Sequence, residues 1–71
     1  MYALQFEEWN DYRGVWNTFY LVKVHNIPTA VQARERLWES LECGTAVIDD
    51  VRTGSDWTNE EGDVRATIRI W

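Results

Sequence analysis

Apolar and polar positions alternate from the start of the chain. Tyr2, Leu4 and Phe6 interleave with Ala3, Gln5 and Glu7, the period of a half-buried strand that reaches Trp9. Asn10-Asp11-Tyr12-Arg13-Gly14 predicts a turn, with Gly14 able to take positive φ. From Val15 to His25 the pattern is apolar on both sides: Trp16, Thr18, Tyr20, Val22 and Val24 fall one way, and Val15, Phe19 and Leu21 the other. A strand apolar on both faces is expected in the middle of its sheet.

Asn26-Ile27-Pro28-Thr29 interrupts the alternation, and the period then becomes helical. Thr29 is the expected N-cap, with Gln32 completing a capping box. The helix is expected from Ala30 to Glu42. Its apolar stripe is Ala30, Ala33, Leu37 and Leu41, flanked by Val31 and Trp38. Gln32, Glu35, Arg36, Glu39 and Ser40 form the wet side, and Gly44 is placed to stop the helix in the left-handed conformation. A third strand begins near Thr45, meets Asp49-Asp50 and resumes at Val51, out of phase. A bulge near Asp49-Asp50 or at Gly54 would restore the phase. In the last strand Val64, Ala66, Ile68 and Ile70 face in while Arg65, Thr67, Arg69 and Trp71 face out. Folding at Asn59-Glu60-Glu61-Gly62 sets Trp57 opposite Val64, Ser55 opposite Ala66 and Val51 opposite Ile70, so that apolar partners share a face. The expected fold is α+β, ββαββ: one domain over residues 1–71, an antiparallel sheet of about four strands with one helix packed on one face.

Composition adds a sign and a surplus. The 71 residues carry a formal net charge of −5 with only 7 basic side chains, of which Lys23 is the single lysine. Phosphate backbones and anionic membranes attract Lys/Arg clusters, so direct binding to nucleic acid or to a membrane surface is disfavoured. A basic protein surface is the natural complement. The surplus is aromatic: 5 tryptophans, Trp9, Trp16, Trp38, Trp57 and Trp71, on a chain with one small core. Each indole can bury roughly 150–250 Å², more than such a core easily hides, and exposed Trp is a favoured interface anchor. Cys43 is the lone cysteine, which excludes an internal disulfide and suits a reducing cytoplasm. No apolar run is long enough for a membrane span, and no basic-then-apolar leader pattern is seen.

Two surfaces follow as candidates for partner binding. One is acidic: Glu35, Glu39 and Glu42 on the helix flank, then Asp56, Glu60, Glu61 and Asp63 around the last hairpin, with Glu7, Glu8 and Asp11 at the first turn. Rows of carboxylates can imitate a phosphate backbone and occupy a nucleic-acid groove; the plainer alternative is a solvated acidic face. The other is the outer sheet face, with Arg65, Arg69 and Trp71, Arg52 opposite Arg69, and Trp57 in the same hairpin. Arg and Trp are preferred anchors, although these arginines could instead pair with Asp50, Asp56 or Glu7.

Catalytic chemistry finds little support. His25 has no identifiable orienting partner, Cys43 lies at the helix end that does not activate a thiol, and Asp49-Asp50 lacks a third ligand. No catalytic, cofactor-binding or metal-binding residues are assigned, no cofactor is expected, and the chain is read as a non-enzyme.

The unit Pro28-Thr29-Ala30-Val31-Gln32-Ala33-Arg34 through Leu41-Glu42-Cys43-Gly44-Thr45-Ala46-Val47-Ile48 is a helix that ends in glycine and feeds a strand. Followed by a Trp-bearing hairpin, it resembles the layout of small phage-encoded proteins, including anti-CRISPR inhibitors, over the C-terminal two-thirds. The resemblance is one of pattern and transfers no site residues. It implies an inhibitor of a nucleic-acid-handling protein complex in the host cytoplasm, and the acidity implies mimicry as its mechanism. The alternative expectation is a homodimer, pairing open sheet faces or edge strands, or a small-ligand module built on the open face.

Overall fold

The computed structural model describes residues 1–48 and 56–71, with the side chain of Ile48 excluded. Among the described residues the elements run β1 (Tyr2–Asn10), β2 (Val15–Val24), α1 (Ile27–Ser40), β3 (Ala46–Ile48), β4 (Asp56–Asn59) and β5 (Val64–Ile70). The strands form one 5-stranded sheet in the order β2-β1-β5-β4-β3, and every pairing is antiparallel. The α+β class with one helix is as expected. The sheet has five strands rather than about four, and the order is ββαβββ rather than ββαββ, because the segment after the helix contributes both β3 and β4 before the last strand. The expected bulge at Asp49-Asp50 or Gly54, the pairs involving Ser55 and Val51, and Arg52 lie outside the described residues.

β2 is an edge strand, which overturns its expected central place. The central strand is β1, hydrogen-bonded to β2 on one side and β5 on the other. The reason both sides of β2 look apolar is a bulge. Its pairing with β1 slips between Phe6↔Tyr20 and Glu7↔Thr18, leaving Phe19 as the extra residue. A bulge reverses which side of the strand each later residue faces. Tyr20, Val22 and Val24 therefore lie on the helix side opposite Phe6, Leu4 and Tyr2, whereas Trp16 and Thr18 lie on the far side opposite Trp9 and Glu7.

The helix begins earlier than its apolar period suggests. Asn26, extended at φ −148° and ψ 166°, is the N-cap, and its side chain accepts the Thr29 N–H at 2.9 Å. Pro28 fits this first turn because it has no N–H to leave unpaired and its φ is already helical, so the cap falls on Asn26 rather than Thr29. The helix also stops sooner, at Ser40. The Cys43 N–H bonds to the Trp38 carbonyl at 3.1 Å and the Glu42 N–H to the Glu39 carbonyl at 3.1 Å, the paired closure of a Schellman motif. The left-handed residue of that motif is Glu42, at φ 55°. Gly44, at φ 94°, turns the chain toward β3 two residues later.

The hairpin between β4 and β5 pairs Trp57 with Ala66 rather than Val64. The slip is two residues, so Trp57 keeps its face. Its cause is Asn59, a buried residue whose carboxamide oxygen accepts the N–H groups of Asp63 (3.0 Å) and Val64 (3.1 Å) and whose amide donates to the Asp63 carboxylate. These bonds hold a longer loop, Glu60 to Asp63, than the two-residue turn that the sequence suggests.

The core lies between the helix and one sheet face. Leu4, Phe6, Trp38, Cys43 and Ala66 are buried together, with Val22, Leu37, Leu41, Trp57 and Ile68 packed around them. Phe6 meets the rings of Phe19, Tyr20 and Trp38 at centroid distances of 6.1–6.3 Å, and the Trp38 indole N–H donates to the Gly44 carbonyl at 2.6 Å. Val31, expected beside the stripe, is exposed, and Arg34 is buried in its place.

Truncating Phe6 to Ala should remove about 3–5 kcal/mol, comparable with the whole stability of a small domain, about 5 kcal/mol at the low end. Phe6→Ala is expected to lose its cooperative thermal transition by circular dichroism. Burial also pushes the Cys43 thiol above its ordinary value of 9.0. The folded chain then holds that proton more tightly than the unfolded one. This stabilisation is complete below the ordinary value and is lost as pH rises through the raised one. Between about pH 8 and about pH 10, the urea midpoint should fall more steeply for the native chain than for Cys43→Ala.

Candidate functional site

The topology gathers the acidic residues at one end of the molecule. The β1–β2 turn is closed there by the Gly14 N–H on the Asn10 carbonyl (2.7 Å) and the Arg13 N–H on the Asn10 side chain (3.0 Å). The β4–β5 loop is tied to it by the Trp9 N–H on the Asp63 carbonyl at 2.7 Å. The exit of α1 comes to the same end, because Ala46, just beyond Gly44, pairs with Asn59. Glu8, Asp11, Glu39, Glu42, Glu60, Glu61 and Asp63 are all exposed around this pole, with Arg13 among them. Of the acidic candidates, Glu35 sits further back along the helix beside Arg36, where a shallow depression runs to Glu39. Asp56 is half-buried at the other end of β4.

Two features show that this charge is held against local stability. Glu39 in the last helical turn and Glu42 just past it face the negative end of the helix dipole, where a cation is favoured, and no basic residue occupies the last turn. Glu42 also takes the left-handed position that glycine normally fills.

The sheet face away from α1 has a different chemistry. Glu7 is buried there, and its carboxylate accepts the Arg65 Nε–H at 3.0 Å. The Arg65 guanidinium lies over the Trp16 ring at 4.0 Å from the centroid. Trp9 meets Trp16 edge-on at 5.5 Å. At the opposite end of the face Lys23 covers the Trp71 ring at 4.6 Å, and between the two groups Gln5 donates to the Thr18 hydroxyl at 2.7 Å. Arg65 thus pairs with Glu7, one of the acidic partners the sequence offered. Arg69 and Trp71 are exposed on this face.

Trp57 belongs to neither surface. It packs edge-on against Trp38 at 5.7 Å on the helix side, and Arg34 lies over its ring at 4.5 Å. Arg34 is the residue that sequence reasoning left unassigned. It is 3% exposed, and its Nε and Nη1 have no acceptor among the described residues. Burial lowers its pKa, with Asp56 and Glu35 opposing. A signal was present: Arg34 lies four residues after Ala30 and four before Trp38, on the line of the buried face. His25 is exposed beyond β2. No described helix is long and apolar enough to cross a membrane.

Arg65→Met should strand the buried Glu7 carboxylate and uncover Trp16. A stability loss of about 1–3 kcal/mol is expected in urea, together with a changed tryptophan emission. Loss of neither would show that the pair and the ring stack hold nothing in place. Comparison with protein-family models, with curated proteins and with solved structures gives no match for this chain.

Proposed function

We propose that the protein is a small non-catalytic inhibitor that docks its acidic pole on a basic protein surface, of the kind a nucleic-acid-handling complex presents. This is the target class that the anti-CRISPR resemblance implies, and the carboxylates would act as a nucleic-acid mimic. The observation that carries the reading is the convergence of both hairpin ends and the helix exit into one acidic pole, with Glu39 and Glu42 placed where they oppose helix stability. A purely solubilising charge has no reason to collect at the wrong end of a helix dipole. The hairpin tip is also pre-formed by Asn59, which lowers the ordering cost of binding. The open sheet face supports a ligand less well, because Arg65 and Lys23 already lie over Trp16 and Trp71, although Trp9 and Trp71 stay partly exposed there.

The test is a tagged capture from bacterial lysate at low salt, read by mass spectrometry, followed by affinity measurement on the recovered complex. Binding should weaken with added salt, and Glu60→Lys with Glu61→Lys should cost at least about tenfold. Glu42→Gly gives a sharper contrast: it should raise fold stability by up to about 1 kcal/mol through relief of the left-handed strain while weakening the complex. Salt-independent binding that tolerates all these changes would remove the acidic pole from the mechanism.

A further inference from the structure

We propose that Tyr12 is the anchor of the acidic pole. Its ring enters a flat cleft on the partner, in the place of a nucleobase, while the carboxylates around it take the places of phosphates. This deepens the proposed docking of the pole and rests on it. Tyr12 is 98% exposed, more than any other large hydrophobic side chain among the described residues. A tyrosine has an apolar body as well as a polar tip, and here neither is covered by the chain.

The ring is held out on a pre-formed turn. The Asn10 carbonyl accepts the Gly14 N–H at 2.7 Å, and the Asn10 side chain accepts the Arg13 N–H at 3.0 Å. Gly14, at φ 66°, takes the left-handed position in this turn. The Trp9 N–H on the Asp63 carbonyl, at 2.7 Å, ties the turn to the loop that carries Glu60 and Glu61. Ring and carboxylates thus share one fixed surface. A tyrosine also has only two χ angles to freeze on binding, so its ordering cost is low.

A pole of carboxylates needs such an anchor. Exposed charges steer an encounter, but each contributes little once salt screens it. Residence comes from large side chains that lose their water in a pocket, with Trp, Tyr and Arg foremost. Among the described residues at this pole, the exposed large apolar side chains are Trp9, Tyr12 and Val15. Trp9 is held edge-on against Trp16 at 5.5 Å, and Val15 lies in β2. Tyr12 alone stands clear, in the turn between the strands. A planar ring beside anionic groups is also what a single nucleic-acid strand presents. Sites for such strands combine a basic groove with a stacking platform. The partner is therefore a protein with a groove of that kind.

The experiment uses the complex that the native chain captures from bacterial lysate, purified and followed by surface plasmon resonance, with a single-stranded oligonucleotide as competitor. Tyr12→Ala should speed dissociation at least about tenfold and leave association within about twofold. Glu60→Lys with Glu61→Lys should mainly slow association. Tyr12→Phe keeps the ring and should dissociate like the native chain; Tyr12→Leu should not. The oligonucleotide should displace the native chain. The Tyr12 variants should melt with the native chain, because a side chain this exposed packs on nothing. If Tyr12→Ala dissociates like the native chain while the charge changes still weaken binding, the anchor is overturned and the acidic pole stands. The reverse pattern removes the acidic pole, and with it the phosphate half of this proposal. A Tyr12→Leu complex as long-lived as the native one, or an oligonucleotide that fails to compete, overturns the flat cleft. Capture of no partner by the native chain overturns both.

Discussion

A single helix can cover only one face of a sheet, and here that limit organises everything else. α1 lies over β1, β5 and the inner side of β2, and the sheet closes only because β1, at the start of the chain, pairs with β5 at its end. Phe6 sits at the middle of this arrangement and touches rings from both β2 and α1. What α1 does not reach must be covered by the strands' own side chains. On the far face that cover is cationic: Arg65 over Trp16 and Lys23 over Trp71. Beneath these layers Ala3 and Glu7 are buried although no helix lies above them.

This alters the meaning of the tryptophan surplus. In the sequence five indoles look like more apolar surface than a small core can take up. In the structure each has a partner within the chain. Trp38 is in the core with Trp57 against it, Trp9 is against Trp16, and Arg34, Arg65 and Lys23 lie over Trp57, Trp16 and Trp71 in turn. A cation over an indole contributes about 0.5–2 kcal/mol depending on solvent exposure, and it converts an apolar surface into a charged one. Much of the surplus therefore builds a second, self-made layer, and what it leaves open is confined to Trp9 and Trp71, at 39% and 56% exposure.

What was legible in the sequence was what depends on period. The alternation of Tyr2, Leu4 and Phe6 placed β1, and Val64 to Ile68 assigned the two sides of β5 correctly, because each strand pairs without a slip along the β1–β5 ladder. Ile70, expected to face in, is 83% exposed at the strand's end, where nothing covers it among the described residues. What failed depends on interruptions that leave no mark in the period. The bulge at Phe19 made an edge strand look central, since it turns an alternating strand into one that is apolar on both sides. Asn26 and Thr29 are both good caps, and only the placement of Pro28 favours the first. The hairpin register turned on a side chain, Asn59, bonding across the loop. Of the candidate site residues, Glu39, Glu42, Glu60, Glu61 and Asp63 come together because three chain reversals meet at one end. Arg69 and Trp71 are at the other end, and Trp57 turned inward to the helix. No local pattern encodes that meeting of reversals, which arises from the β1–β5 and β3–β4 pairings.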